Sequence, residues 1–208
     1  MSTNMELLIG THNTHKTREI AKLLEGLPVQ IRDLTSLPKI GTVEEDGETL
    51  LENAVKKAKH YGNLSGLATI ADDTGLGVEA LNGEPGVKSA RYAGQDCSYD
   101  DNNLKLLKML SQTKNGSRSA VFKCVIALYD PGSGKVLTEE GALKGEILHS
   151  PRGQNGFGYD PVFYLPEAGK TLAELSPDEK NRVSHRAIAL FKMKKRIERI
   201  LKETAGKR

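Results

Sequence analysis

One stretch constrains this chain more than any other: Leu67-Ala68-Thr69-Ile70-Ala71-Asp72-Asp73-Thr74-Gly75. The apolar run reads as a buried strand, and it delivers two adjacent carboxylates to its C-terminal end. Like charges repel, and a buried carboxylate without a partner costs several kcal/mol in lost hydration. A divalent metal would relieve both costs, so the pair points to a metal site, a catalytic base, or both. Asp-Asp-Thr-Gly is also an ordinary strand-ending turn, because Asp, Thr and Gly all favour turns. The strand is therefore expected to stop at the aspartates, with Thr74-Gly75 as a sharp turn.

The flanking segments alternate strand and helix. Leu7-Leu8-Ile9 reads as a strand, and Thr14 to Leu24 as a helix closed by Gly26 and Pro28. Pro38 to Gly47 is expected to be a loop carrying Glu44, Glu45 and Asp46. Thr49-Leu50-Leu51-Glu52 is a capping box. It opens a helix whose Leu51, Ala54, Val55, Ala58 and Tyr61 fall on one expected inner face. Asp100 to Leu110 is a further helix. Ser119 to Tyr129 and Val136 to Leu148 form a ribbon around Pro131-Gly132-Ser133-Gly134. Ser176-Pro177-Asp178-Glu179 starts another helix, and Ser184 is expected to cap a last one running to about Lys202. Early strand–helix units followed by a long antiparallel ribbon predict a mixed α/β fold.

Composition excludes several classes. The 208 residues carry 27% charged side chains and a net charge of only +3. Much of the excess lies between Lys192 and Arg208, where a basic helix face is normally a solvated one, so a nucleic-acid partner is not expected. No run approaches the ~20 apolar residues of a membrane span, and no signal peptide is recognisable, so no membrane partner is expected. Cys97 and Cys124 lack metal spacing, which fits a reducing cytoplasm.

Gly10-Thr11-His12-Asn13-Thr14-His15-Lys16-Thr17 lies between a strand and a helix, one residue short of a phosphate-binding P-loop. His15 stands at the second glycine of that motif and tolerates its backbone poorly, so the P-loop is rejected. The gentler expectation is a triphosphate grip made of helix N–H groups, the positive end of the dipole and Lys16. Gly132-Ser133-Gly134-Lys135 is a decoy inside a hairpin. Gly156-Phe157-Gly158-Tyr159-Asp160-Pro161 concentrates scarce aromatics between glycines, a composition suited to stacking a base and accepting from a purine N1–H. His185 and Arg186 follow Ser184 in a first helical turn, where cations oppose the dipole. That placement suggests a task such as meeting phosphate or a 6-oxo group. None of the five histidines shows transition-metal spacing, and an oxygen-rich acidic set favours Mg²⁺.

Six motifs in order make the chain resemble the inosine triphosphate pyrophosphatase family, the XTP/dITP diphosphatases. They are Thr11-x-Asn13-x-x-Lys16, Glu52-Asn53-Ala54, Ala71-Asp72-Asp73-Thr74-Gly75-Leu76, Pro85-Gly86-Val87-x-Ser89-Ala90-Arg91-Tyr92, Phe157-Gly158-Tyr159-Asp160-Pro161 and Ser184-His185-Arg186. The resemblance implies an elongated two-lobed α/β fold, a mixed sheet flanked by helices, with the active site in the cleft between lobes. It implies a single domain over residues 1–208, usually a homodimer, acting in the cytoplasm. It also implies hydrolysis of ITP, dITP and XTP to monophosphate and pyrophosphate. Carried over by position, Asp73 would be the proton acceptor and a Mg²⁺ ligand, with Glu44 the other ligand and Glu45 the alternative. Thr11, His12, Asn13, Thr14, His15 and Lys16 would grip phosphate. Thr74, Phe157, Gly158, Tyr159, Asp160, Lys180, His185 and Arg186 would contact the nucleotide. A nucleotide-binding module without turnover is the rival of another class.

Overall fold

The structure is a computed structural model that describes residues 5–37, 40–113 and 116–205. Its strands are β1 (Met5–Ile9), β2 (Val29–Asp33), β3 (Ala68–Val78), β4 (Pro85–Gly86), β5 (Ser119–Asp130), β6 (Lys135–Ile147), β7 (Phe163–Leu165) and β8 (Lys170–Thr171). Its α-helices are α1 (Thr14–Leu23), α2 (Leu50–Ser65), α3 (Tyr99–Ser111), α4 (Pro177–Val183) and α5 (His185–Ala205). Among the described residues the strands make one sheet of order β2-β1-β3-β5-β6-β7-β8, with β4 paired to β3. β1 runs parallel to β2 and β3, whereas β4, β7 and β8 pair antiparallel with their neighbours. The expected mixed α/β architecture is what the chain forms.

The chain divides into two compact units, each with its own apolar core. The first takes the described residues of Met1–Asp73, Cys124–Gly141 and Arg186–Arg208. Its main cluster joins Leu7 and Ile9 of β1, Ile20 of α1, Ile70 of β3, Ile126 of β5 and Leu190, Met193 and Ile197 of α5. Alternation along β1 explains a second cluster, because Leu8 points the other way, onto Leu34 and Tyr61. The second unit takes Thr74–Lys123 and Ala142–His185 and packs Leu76, Val78, Leu106, Phe122, Ile147, Val162, Phe163 and Leu172.

Two local expectations change. β3 does not end at the aspartates: it continues through Thr74 and Gly75 to Val78. Leu76 and Gly77 pair with Gly86 and Pro85 of β4, and the Leu76 N–H donates to Ser89 Oγ at 2.8 Å. Backbone partners further along the chain outweigh the turn preference of Thr-Gly. On α2 the buried face is Asn53, Ala54, Lys57, Ala58 and Tyr61, while Leu51 is exposed. A polar residue and a lysine thus occupy an inner stripe where an apolar one was expected.

Candidate active site

β3 presents its two aspartates to different neighbours, as alternation on a strand requires. Asp72 is fully buried. Its Oδ2 lies 3.1 Å from Lys16 Nζ and accepts from Arg186 Nε at 3.2 Å and Nη2 at 3.1 Å. Arg186, 1% exposed, also donates to Glu19 of α1. Burial alone would raise the Asp72 pKa, but Lys16, Arg186 and Lys57 together hold it well below the usual carboxylate range. Burial likewise disfavours the charged Arg186, yet Asp72 and Glu19 hold its guanidinium firmly protonated. The dipole conflict noted for Arg186 is answered by these two carboxylates. Arg186 was expected to meet the nucleotide; its guanidinium is instead enclosed by protein.

Asp73 looks into a different set. Lys57 Nζ donates to Asp73 Oδ1 at 2.8 Å, and Asn53 Nδ2 to Oδ2 at 3.4 Å. Lys57 also reaches Glu45 Oε2 at 3.1 Å, and the Glu45 and Asp73 carboxyls share a hydrogen bond. Burial pushes the Asp73 carboxyl up to about 6, only partly offset by Lys57 and Lys16, and the charge of Glu45 adds to the rise. Glu45 moves the other way: burial raises it, but Lys57 and the bond to Asp73 bring it below its ordinary value. Burial pulls Lys57 down, but Asp73, Glu45 and Asp72 outweigh it and keep the ammonium charged.

This set suits a divalent cation. Among the described residues no three His, Cys, Asp or Glu side chains form a closed cage. Two carboxylates instead converge on one ammonium, and Mg²⁺ commonly takes one or two carboxylates and completes its shell with water and substrate phosphate. Glu44 points outward and is exposed; Glu45 is the glutamate beside Asp73. Lys57 and Asn53 complete the Asp73 set; Asn53 stood only within the Glu52-Asn53-Ala54 motif and Lys57 in none, although a lysine flanked by Ala54 and Ala58 on a helix face was a usable signal.

The phosphate-grip loop is partly spoken for by itself. Asn13 Oδ1 caps α1, accepting from the His15 N–H at 3.0 Å and the Lys16 N–H at 3.2 Å, and the Asn13 N–H donates to Thr11 Oγ1. The expected supply of helix N–H groups is thereby reduced, and the Lys16 ammonium on Asp72 is the main cation of the loop. His12, Thr14 and His15 are exposed, and Thr11 is half-buried.

The second unit holds the other expected contacts. Asp160 Oδ2 accepts from Lys180 Nζ at 2.6 Å and from the Phe157 N–H at 2.8 Å. Lys180 Nζ also lies 4.7 Å from the Phe157 ring centroid. Gly156 makes this possible: its φ is +75°, and a Cβ there would fall 2.0 Å from Asp160 Oδ2. Asn103 Nδ2 donates to the Gly158 carbonyl at 3.0 Å, and the buried Tyr159 hydroxyl donates to the Ser89 carbonyl at 2.9 Å. His185 stacks on Phe122 with centroids 4.5 Å apart and planes 16° apart. Thr74 is half-buried next to Asp73 in sequence. Phe157, Gly158, Tyr159, Asp160 and Lys180 are thus one connected group, with the Asp160 and Tyr159 side chains turned inward.

Known proteins of similar sequence and structure place the chain in a family. The chain is 50% identical over 199 residues to a dITP/XTP pyrophosphatase of Thermoanaerobacter sp. (strain X514), covering 96% of this chain and all of that one. It is 51% identical over 188 residues to a dITP/XTP pyrophosphatase of Geobacter sulfurreducens, covering 90% and 94%. Among solved structures, a HAM1 protein from Coxiella burnetii matches with a TM-score of 0.87 at 40% identity, over 94% of this chain and 99% of that one. The family model described as the Ham1 family matches residues 7–196, and the chain belongs to that family.

Proposed function

We propose that this chain is a nucleoside-triphosphate pyrophosphatase that hydrolyses dITP, XTP and ITP to the monophosphate and pyrophosphate. The observation that carries the reading is the buried Asp73, tied to Lys57 and Glu45 at its place on β3. The relatives' activity supports it. Asp73 and Glu45 would hold Mg²⁺, which when bound offsets their mutual repulsion and neutralises charge on the triphosphate. Asp73 acts as general base and takes the proton of the attacking water. Its raised proton affinity suits this role, because a base works best when its pKa is near the working pH. Lys57 holds the Asp73 carboxylate in place, and Lys16, fixed by Asp72, stabilises charge that develops on the phosphate side. The group around Phe157 to Asp160, with Lys180 and His185, is assigned to the base. Donors aimed at a 6-oxo group would be left unpaired against the 6-amino group of adenine, a mismatch able to discriminate ~10⁴-fold. The same reading makes the two compact units lobes of one domain. By family resemblance it also makes the enzyme a homodimer and a cytoplasmic guardian of the nucleotide pool.

The deciding measurement is pyrophosphate release from ITP, XTP, dITP, GTP and ATP with and without Mg²⁺. Fast Mg²⁺-dependent release from the first three supports the assignment. Tight ITP binding with no pyrophosphate released would instead show a binding module without turnover.

A further inference from the structure

The acidic segment ahead of α2 alternates strictly. Val43, Glu45 and Gly47 are half-buried, while Glu44, Asp46 and Glu48 are exposed. The inner three meet three residues of α2 spaced four apart. The Gly47 N–H donates to Asn53 Oδ1 at 2.8 Å. Glu45 Oε2 lies 3.1 Å from Lys57 Nζ. Val43 packs on Tyr61, and its backbone N–H meets the Tyr61 hydroxyl. The periods match: two extended residues rise about 6.6 Å, and four helical residues about 6.0 Å. The segment therefore runs antiparallel to α2 as an extended strap, read by an Asn–Lys–Tyr ladder.

Because its period is two, a slip of one residue would turn Glu44 inward and Glu45 outward. Both ends oppose that slip. At Gly47 a Cβ would lie 2.7 Å from Asn53 Oδ1 and 2.9 Å from Glu52 Cβ, so neither Asp46 nor Glu48 fits there. At the other end the Tyr61 patch includes Leu8, Leu34 and Ile40, where Val43 belongs and Glu44 does not. Tyr61 is 2% exposed and also receives the His12 ring edge-on at 5.8 Å. His12 Nε2 is in turn 3.4 Å from the Gly41 carbonyl oxygen.

We propose that Tyr61 and Gly47 are positioning residues that fix the register of segment 43–47 on α2, and so select Glu45 over Glu44 as the carboxylate that joins Asp73 at the cation site. This rests on the metal reading given above. Neither residue touches the substrate in this role; each acts through Glu45.

The test uses the full chain and five variants: Tyr61→Phe, Gly47→Ala, Glu44→Gln, Glu45→Gln and Asp73→Asn. Mn²⁺ alone is titrated into nucleotide-free protein by electron paramagnetic resonance. The Mg²⁺ concentration for half-maximal pyrophosphate release and the amide exchange of residues 42–48 are measured alongside. Tyr61→Phe keeps the ring and removes one hydrogen bond, so the Mn²⁺ Kd and the half-activating Mg²⁺ should each rise about fivefold. At saturating Mg²⁺ its kcat should return close to wild type, a separation that general destabilisation would not give. Gly47→Ala should do the same or more, and both variants should exchange the 42–48 amides faster. Glu45→Gln should weaken Mn²⁺ binding strongly, and Glu44→Gln should leave it as in wild type. Equal losses in Glu44→Gln and Glu45→Gln overturn the proposal, as do wild-type Mn²⁺ affinities in both Tyr61→Phe and Gly47→Ala. If neither Glu45→Gln nor Asp73→Asn alters Mn²⁺ affinity, the metal reading fails, and the register is judged by exchange alone. Faster exchange in Tyr61→Phe and Gly47→Ala then upholds it, and unchanged exchange sinks it.

Discussion

Asp72 and Asp73 are chemically identical neighbours on β3, both buried, yet their surroundings drive them in opposite directions. Asp72 meets two fixed cations and holds its charge. Asp73 meets one ammonium that it shares with Glu45, and burial wins. The difference lies in the count of opposing charges within reach. A carboxylate whose charge is fully answered by protein is a structural part. One left with a negative neighbour and too little positive charge has capacity for a metal or a proton.

The sharpest way to break this contrast is Asp73→Asn. It should lower kcat about 10³-fold, in the range of a lost general base, while nucleotide binding survives and the fold stays intact. Full activity in that variant would remove Asp73 from the chemistry. Asp72→Asn should show the reverse balance. It strips Arg186 and Lys16 of a buried partner and should cost about 3–5 kcal/mol of stability, read by urea unfolding. Its activity per folded molecule should fall by less than that of Asp73→Asn. A variant as stable as wild type would show that Asp72 is dispensable to the packing.

Lys57→Gln gives a smaller effect. Without that ammonium the Asp73 carboxyl rises further, so the acidic limb of the pH–rate profile should move to higher pH by about one unit. A shift to lower pH would contradict the assigned coupling. The smallest effect is on stability against pH in metal-free protein. Asp73 binds its proton more tightly folded, near 6, than at its ordinary 3.8. Its favourable contribution is therefore complete below 3.8 and is lost as pH rises through 6. Asp72, depressed in the fold, contributes above its ordinary value and loses that contribution only as the solution becomes strongly acidic. The melting temperature of Asp73→Asn relative to wild type should accordingly climb by a few degrees between pH 4 and pH 7. A flat difference would mean that the raised proton affinity is absent.

Much of this was legible in the residues. The apolar run into Asp72-Asp73, the capping box at Thr49 and the motif at Phe157 each announce themselves locally. What was hidden depends on partners distant in sequence. Thr74-Gly75 has turn chemistry, but β3 runs on through it because Leu76-Gly77 beyond it pairs with Pro85-Gly86. The segment 43–47 has the alternation of a strand without a strand partner, and its facing is decided by α2. For that reason Glu44 was the first candidate on paper and Glu45 the alternative, whereas in the fold Glu45 is the one beside Asp73 and Lys57. Arg186 looked like a ligand contact because a cation at a helix start is costly; Glu19 and Asp72 meet that cost from elements far away along the chain.

The Arg186–Asp72 pair spans 114 residues, which sets a timetable. On the ribosome Lys16 and Asp72 emerge early, and the guanidinium that completes the charge balance behind β3 arrives only with α5. A product truncated before Arg186 would carry every residue of the Asp73 set and still lack the counter-charge that seats the strand bearing it. Assembly of the charge balance around Asp72 thereby waits for residue 186.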